Sequence, residues 1–205
     1  MTLGAKEQVP IASLAMNLVA RTLENDFVRL EPLRADHREL LRAHTADPTI
    51  WRWWPRDMAD WDEAFDWQMD EQAAGRWILH AVIAPDGRAI GQTCYLAIAP
   101  EHARVEIGGT WYGPDAQGSL VNPACKLLML GHAFACGAER VELKTDALNT
   151  RSRAAMLKMG AHFEGVPRHH KRRPDGTWRD TAWFSVLREE WPGVKAGLEA
   201  RLAAP

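Results

Sequence analysis

The hydrophobic residues of this chain change their spacing near residue 77, which restricts the folds that the chain can adopt. Residues 35–46 and 60–74 repeat apolar side chains every three or four positions, as amphipathic helices do. The next three apolar runs alternate at period two and are separated by turn residues; they cover 77–84, 89–98 and 103–111. Three consecutive strands therefore follow two helices, and a meander is predicted.

The remaining segments extend this pattern to a mixed α/β order. Residues 27–33 predict an opening strand. The segments after residue 111 predict a helix over 123–136, a strand over 139–146, a helix over 150–158, strands over 162–172 and 177–187, and a helix over 189–202. Pro174, Asp175 and Gly176 predict a hairpin turn between the last two strands. The whole order predicts one mixed α/β sheet with flanking helices.

Length and charge restrict the class of protein. The 205 residues correspond to about one domain, placed at residues 21–205 after an N-terminal extension of residues 1–20. The formal net charge is −2, which disfavours nucleic-acid binding by the whole surface. No run reaches the roughly 18 apolar residues of a membrane span, and the N-terminus does not resemble a signal peptide. We expect neither a nucleic-acid nor a membrane partner.

The cysteines indicate the compartment. Cys94, Cys125 and Cys136 are odd in number and far apart, so they predict neither a disulfide framework nor a metal site. Free thiols are typical of a reducing cytoplasm. We expect a cytoplasmic protein without a bound metal.

The junction before the long helix has the chemistry of an anion site. Residues 117–122 connect a predicted strand to that helix, and Asn122 followed by Pro123 is typical of an N-cap and first helical position. Free backbone amides and the positive end of the helix dipole favour an anion such as a pyrophosphate. An ordinary strand-to-helix turn fits the same residues.

Motifs farther along the chain carry a family resemblance. Asn-x-x-Ser, Lys-x-Gly and Glu-Gly follow one another within residues 146–165. Together with the preceding strand, anion-binding turn and helix, they resemble the GNAT N-acetyltransferase family over about residues 27–191. Within that family they are similar to ribosomal-protein N-terminal acetyltransferases. The resemblance implies a GNAT acyl-CoA N-acyltransferase fold, in which two parallel strands of the mixed sheet, here 105–111 and 140–146, splay apart around acetyl-CoA.

The resemblance also implies which residues hold acetyl-CoA. Its pyrophosphate is expected on the 117–122 loop, and its pantetheine arm near Asn149, although Asn149 alone also fits a helix cap. The expected cofactor residues are Trp111, Gln117, Gly118, Ser119, Leu120, Val121, Asn122, Asn149 and Ser152. Leu120 stands where a glycine is usual, and a Cβ at a position of positive φ, or of close approach to a phosphate, would cost affinity.

The same resemblance assigns an acid. Many family members have a tyrosine seven residues after the asparagine that protonates the leaving thiolate, but here that position is Met156, which cannot donate a proton. Ser152 is then the expected acid. Because of Leu120 and Met156, the competing hypothesis is a non-catalytic acyl-CoA-binding or protein-interaction module that keeps the fold.

An amine acceptor also needs a base and an oxyanion donor, because an alkyl amine is mostly protonated at neutral pH. Glu106, in a Glu-Ile-Gly sequence that matches the family, is the candidate base; a solvent-facing strand carboxylate is the alternative. His169 or His170 could replace it. A backbone amide near residues 109–111 is the expected oxyanion donor, since the glycine pair at 108–109 indicates a bulge.

The acceptor pocket is expected beside the tryptophan-rich segment. Trp53 and Trp54 follow no helical period and are predicted to line it, with Glu106 and His169 as further substrate contacts. The basic run 168–173 fits an acidic substrate, the phosphates of the cofactor, or a solvated hairpin.

These features predict an acetyltransferase that moves acetyl from acetyl-CoA to a primary amine by direct nucleophilic attack. A protein N-terminus and a small-molecule amine are both open as acceptors. A homodimer is the common default for oligomeric state.

Overall fold

The computed structural model describes residues 16–204, which form five α-helices and ten strands. The helices are α1 (His37–Thr45), α2 (Trp61–Ala73), α3 (Val121–Ala135), α4 (Thr150–Met159) and α5 (Trp191–Ala203). The strands are β1 (Leu23–Glu24), β2 (Arg29–Pro32), β3 (Ile78–Ile83), β4 (Ala89–Ala99), β5 (Arg104–Tyr112), β6 (Arg140–Asp146), β7 (His162–Gly165), β8 (Lys171–Arg172), β9 (Trp178–Arg179) and β10 (Thr181–Leu187).

Local sequence signals explain several helix ends. Asp60 starts α2, because its Oδ1 accepts hydrogen bonds from the N–H groups of Asp62 and Glu63 at 3.0 and 3.1 Å. Asn149 starts α4 in the same way, and Gly160 ends that helix at φ +98°.

Eight strands form one mixed sheet in the order β1-β2-β3-β4-β5-β6-β10-β7, while β8 and β9 form a separate two-stranded ribbon. Neighbouring strands of the large sheet are antiparallel except β5 and β6, which are parallel. That pair is in register only at Arg104–Arg140, Val105–Val141 and Glu106–Glu142. Beyond these residues the described parts of β5 and β6 diverge. The predicted mixed sheet with two splayed parallel strands is confirmed.

The two faces of the sheet are covered by different helices. On one side, called the α3 face, Val105, Ile107 and Val141 belong to a core that includes Met129 of α3 and Leu198 of α5. On the other side, called the α2 face, Leu79, Cys94 and Trp111 pack with Leu41 of α1 and Phe65 of α2. The site described below therefore lies between two independent apolar layers.

A bulge in β5 reverses the alternation of its side chains, so that odd-numbered residues before and after the bulge point to opposite faces of the sheet. Gln92 pairs with Trp111 but Cys94 pairs with Gly108, so β5 has one residue more than β4 in this interval. Gly109 takes φ +55° there, and a Cβ at this position would lie 2.7 Å from Cys94 Sγ. Val105 and Ile107 thus belong to the α3 face, whereas Trp111 belongs to the α2 face. The bulge predicted from the glycine pair is confirmed.

Two predicted boundaries are wrong. Helix α3 begins at Val121 rather than at Pro123 after an Asn122 cap, because the proline is tolerated within the first turn. The predicted strands 162–172 and 177–187 each break into two, so that the Pro174 turn joins only the short β8–β9 ribbon.

Part of the predicted N-terminal extension packs on the domain. Met16 is buried in the core of the α3 face, and Asn17 N–H donates a 2.9 Å hydrogen bond to Cys136 O. The rest of the extension, residues 1–15, lies outside the described residues. Across residues 16–204, no helix combines the length and apolar character that crossing a membrane requires.

Candidate active site

A cavity of about 790 Å³ occupies the region where β5 and β6 diverge. On the α3 face it is lined by the loop before α3 and by α4, and on the α2 face by residues 49–50 and 53–56. Residues 170–171 and 179 complete its wall. Since both faces contribute, the cavity connects them through the opening between the two parallel strands.

Most predicted cofactor residues line this cavity. They are Trp111, Gln117, Gly118, Ser119, Asn122, Asn149 and Ser152. Leu120 and Val121 are in the same loop but are not part of the cavity wall. The structure therefore brings the 117–122 loop and the start of α4 to one mouth of the cavity.

The backbone of the 117–122 loop places a glycine at its left-handed position. Gly118 takes φ +77°, whereas Leu120 takes φ −75° in the right-handed region. The expectation of backbone strain at Leu120 is therefore wrong, because the left-handed position is two residues earlier. This removes backbone strain from the argument for a non-catalytic module, whereas the effect of the Leu120 Cβ on a nearby phosphate stays a prediction.

Side chains hold the loop in place. Ser119 Oγ donates to Ala116 O at 2.7 Å and accepts from Val121 N–H at 3.2 Å, so Ser119 performs the capping expected of Asn122. Arg151 of α4 donates to Gln117 Oε1 at 2.8 Å. Val121 N–H is capped, Pro123 has no N–H, and Ala124 N–H donates to Leu120 O at 3.0 Å, so a bound anion has Asn122 N–H and Arg151 as donors. These residues fit a pyrophosphate.

Asn149 and Ser152 are joined by the cap of α4. Asn149 Oδ1 accepts from Ser152 N–H at 3.1 Å, and both residues are half-buried in the cavity wall. Met156 lies one turn further along the same wall. The Ser152 hydroxyl is therefore positioned on the α3 face, beside the loop that fits a pyrophosphate.

Glu106 lies on the α2 face, because it alternates with Val105 and Ile107 of the α3 core. Its Oε2 accepts a 2.8 Å hydrogen bond from Lys144 Nζ, and its side chain is only 12% exposed. Lys144 Nζ also lies 2.8 Å from Glu142 and 4.0 Å from the ring centre of Trp183. Glu106 is thus a shielded, ion-paired carboxylate that lines the cavity, and the alternative of a solvent-facing carboxylate is wrong.

The bulge places two residues of β5 in the cavity wall. Gly109 and Thr110 lie outside the register between β4 and β5, and both line the cavity. Both residues lie at the bulge, where the alternation of the β5 side chains between the two faces of the sheet is reversed. The arrangement fits the predicted oxyanion donor.

Lys126 is a cavity residue that sequence reasoning missed. It is buried on α3, and its Nζ donates to Thr110 Oγ1 at 3.1 Å. No carboxylate within residues 16–204 pairs with it, and burial lowers the pKa of Lys126 to about 8. The available signal was its spacing, since it lies three residues before buried Met129 on an otherwise apolar helix face.

The two histidines of the basic run are placed differently. His169 stacks on Trp178, with ring centres 5.1 Å apart, and is not part of the cavity wall, so its substrate contact stays a prediction without support from the cavity lining. His170 lines the cavity, and its Nδ1 lies 3.0 Å from Thr181 Oγ1. Partial burial and the cations Lys171, Lys144 and Arg179 lower the pKa of His170.

Trp53 and Trp54 line the cavity as predicted, and Trp67 and Trp77 join them. The rings of Trp67 and Trp77 pack edge to face at 4.9 Å. Trp61, by contrast, is buried in the core of the α2 face. The mouth on this face therefore has aromatic walls.

Within the described 189 residues, no group of three or more histidine, cysteine or acidic side chains is arranged to hold a metal ion.

Comparisons with known proteins agree with this geometry. A family model described as an acetyltransferase (GNAT) domain matches residues 28–162. A search of curated protein sequences found no match. A solved structure assigned as an acetyltransferase is 38% identical, covers 92% of this chain and 97% of its own, and superposes with a TM-score of 0.83.

Two further solved structures extend the comparison. A GCN5-related N-acetyltransferase from Brucella melitensis is 30% identical over 90% of this chain and 86% of its own, with a TM-score of 0.83. Mycobacterium smegmatis RimJ in complex with CoA-disulfide is 24% identical over 88% of this chain and 93% of its own, with a TM-score of 0.74, and shows the shared fold. A family model across most of the domain and a 38% identical structure with the same fold establish that this chain belongs to the GNAT acetyltransferase family.

Proposed function

We propose that this acetyltransferase uses acetyl-CoA and a primary amine, and that the amine attacks the thioester directly. The observation that carries the proposal is the opening between β5 and β6, which joins an anion-binding loop on the α3 face to an ion-paired carboxylate on the α2 face. The N-acetyltransferase from Brucella melitensis supports an amine as the acceptor.

The end of the cavity on the α3 face, between the 117–122 loop and the start of α4, is called the α3 mouth and is proposed to hold the cofactor. Gly118, Asn122 and Arg151 would bind the pyrophosphate, and Asn149 would contact the pantetheine arm. Acetyl-CoA, when bound, supplies the acetyl group as a thioester. A backbone amide at Gly109 or Thr110 would then donate a hydrogen bond to its carbonyl oxygen.

The end of the cavity on the α2 face, beside Trp53 and Trp54, is called the α2 mouth and is proposed to hold the amine. Glu106 would take the proton of the attacking amine, directly or through water, as a C–N bond forms. Ser152, on the other face, would donate a proton to the sulfur as the C–S bond breaks. His170 is the alternative base, since its lowered pKa keeps it neutral at pH 7. Proton removal and proton donation thus occur on opposite faces of the sheet.

Calorimetric titration of the purified protein with acetyl-CoA, with CoA as the reference ligand, tests the first half of the proposal. We expect a micromolar Kd for both. Thiol release with a panel of primary amines tests the second half. Absence of acetyl-CoA binding, or binding without thiol release for any amine, would refute the proposed function.

A further inference from the structure

The α2 mouth contains a buried guanidinium group without an anionic partner. Arg179 of β9 is 6% exposed and lines the cavity. One of its terminal nitrogens donates to Trp53 O at 3.3 Å, while its buried Nε has no hydrogen-bond partner within residues 16–204. Among the same residues, no carboxylate forms an ion pair with Arg179. Its donors are therefore only partly used.

The two carboxylates whose charges favour the protonated form of Arg179 are already bonded to other cations. Asp146 accepts hydrogen bonds from Arg173 at 2.8 and 2.9 Å, and Glu106 accepts one from Lys144. Burial lowers the pKa of Arg179, which shows that the surroundings disfavour its charge. A buried charge that lacks a partner is costly, so an unpaired arginine in a cavity wall indicates a ligand that supplies the missing anion.

The neighbouring residues add positive charge to the same mouth. Lys171 of β8 lies at the rim and adds a positive charge, while His170 beside it lines the cavity as a neutral imidazole because its pKa is lowered. Arg56 also lines this wall, but it forms an ion pair with Glu63 at 3.1 Å. The only carboxylate among the described lining residues is Glu106, which Lys144 already neutralises. This mouth would repel a polycation and attract an anion.

The cations of the α3 mouth are separate from these. Arg151 of α4 and Arg201 of α5 line the cavity from the helices of the α3 face. They are available for the phosphates of the cofactor. Arg179 is instead bonded to the tryptophan segment on the α2 face. Its anion must therefore come from the acceptor.

We propose that Arg179, assisted by Lys171, binds an anionic group of the acceptor, and that the acceptor is an amine that also carries a carboxylate. A guanidinium group can bind a carboxylate through two parallel hydrogen bonds, and the terminal nitrogens of Arg179 are the donors that would face the cavity. This deepens the proposed function, on which it rests. The tryptophans would cover the apolar part of the same molecule.

Matched acceptor pairs test this inference. Glycine, phenylalanine and glutamate are each compared with the amide of the same amino acid in the thiol-release assay, together with spermidine. Phosphoethanolamine against ethanolamine shows whether a phosphate replaces the carboxylate. We expect kcat/KM to be at least tenfold higher for the acid than for its amide, although the amide has the less basic and more readily deprotonated amine. Spermidine is expected to be the poorest acceptor.

Variants locate the effect. Arg179→Gln and the rim variant Lys171→Gln are each expected to lower the ratio of kcat/KM for acid over amide by about tenfold. Arg172→Gln is the matched control, because Arg172 is the next residue on the same ribbon but stacks on Trp178 outside the cavity wall. It should leave the ratio within twofold of wild type. Lys171→Gln keeps the test valid if Arg179→Gln fails to fold.

A binding measurement separates this inference from the proposed function. N-acetylphenylalanine and its amide are titrated into the protein with saturating CoA, and the acid is expected to bind at least tenfold more tightly. Equal binding and equal turnover of acid and amide, or a preference for spermidine, would overturn the anion site while leaving acetyl transfer intact. Tighter binding of the acid without turnover of any amine would support the anion site and refute the proposed function.

Discussion

Lys144 Nζ donates a 2.8 Å hydrogen bond to Glu106 Oε2 across the point where the two parallel strands separate. The same ammonium group lies 2.8 Å from Glu142, which is 3% exposed. Burial raises the pKa of Glu142, but hydrogen bonds from Lys144 and Arg140 outweigh this and hold it below its ordinary value. Lys144 therefore bridges two neighbouring carboxylates inside the protein and lowers the pKa of Glu142.

Lys144→Met should destabilise the protein at pH 7 by about 3 kcal/mol, because it removes the cation between two shielded carboxylates. Arg140 still pairs with Glu142, which limits the loss. The difference from wild type should shrink as the pH falls below 4.5, the ordinary pKa of glutamate, since protonated carboxyls need no cation. Urea unfolding at several pH values measures this. An equal difference at pH 7 and pH 4 would contradict it.

Glu106→Gln should lower kcat/KM by about 100-fold, the lower end of the range for loss of a general base. Turnover of the variant within twofold of wild type would place the base at another group, and His170→Gln then becomes the decisive variant. The amide is nearly isosteric with the carboxylate, so acetyl-CoA affinity serves as the control and should change less than twofold.

Ser152→Ala should lower kcat by about 100-fold while the Kd for acetyl-CoA stays within twofold, because the hydroxyl is needed only when the thiolate leaves. The capping hydrogen bond uses Ser152 N–H, so the helix start is retained in the variant. Ser152→Thr keeps a hydroxyl and should recover part of the rate. Unchanged turnover in the alanine variant would exclude Ser152 as the acid.

Gly118→Ala should weaken acetyl-CoA binding by about tenfold, because φ +77° is unfavourable for a residue with a Cβ. Gly176→Ala is the matched control: Gly176 has φ +82° in the β8–β9 turn, where a Cβ would meet nothing within 4 Å. It should have a similar local backbone cost but leave the cofactor Kd unchanged.

Leu120→Gly should not tighten binding, since Leu120 already has a right-handed backbone. Tighter binding by Leu120→Gly would show that the leucine side chain impedes the cofactor.

Lys126→Met should stabilise the protein below pH 8, where the wild type must bury a charged ammonium group. Its folded-state pKa of about 8 lies below the ordinary value of 10.5, so between these values the unfolded chain binds a proton that the folded chain does not. Wild-type stability therefore rises with pH across this window. The free energy of unfolding of the variant should exceed that of wild type by at most about 3 kcal/mol below pH 8. This difference should disappear as the pH approaches 10.5. A pH-independent advantage would point to packing rather than charge.

Much of the fold could be predicted because its signals are local. The change from helical to alternating spacing near residue 77 indicates the meander, and Asn149 and Gly160 mark both ends of α4. The start of α3 could not be predicted as well. Asn122-Pro123 carries a strong capping signal, but Ser119 Oγ reaches Val121 N–H first and begins the helix two residues earlier.

The site was harder to predict where tertiary contacts decide which way a side chain points. His169 and His170 are equivalent in the sequence, and only the pairing of β8 with β9 sends one outward against Trp178 and the other into the cavity. Arg179 lies outside the basic run, in a two-residue strand, so its burial leaves no local pattern. Lys126 became recognisable only once α3 was placed on the sheet.

The aromatic walls of the cavity have an optical consequence. Five of the ten tryptophans line it, namely Trp53, Trp54, Trp67, Trp77 and Trp111. Displacement of water from these indoles, or a charge brought beside them, changes their emission. The protein therefore carries a built-in fluorescent reporter concentrated where its ligands enter, and stopped-flow emission could follow the arrival of cofactor and acceptor separately, without any added label.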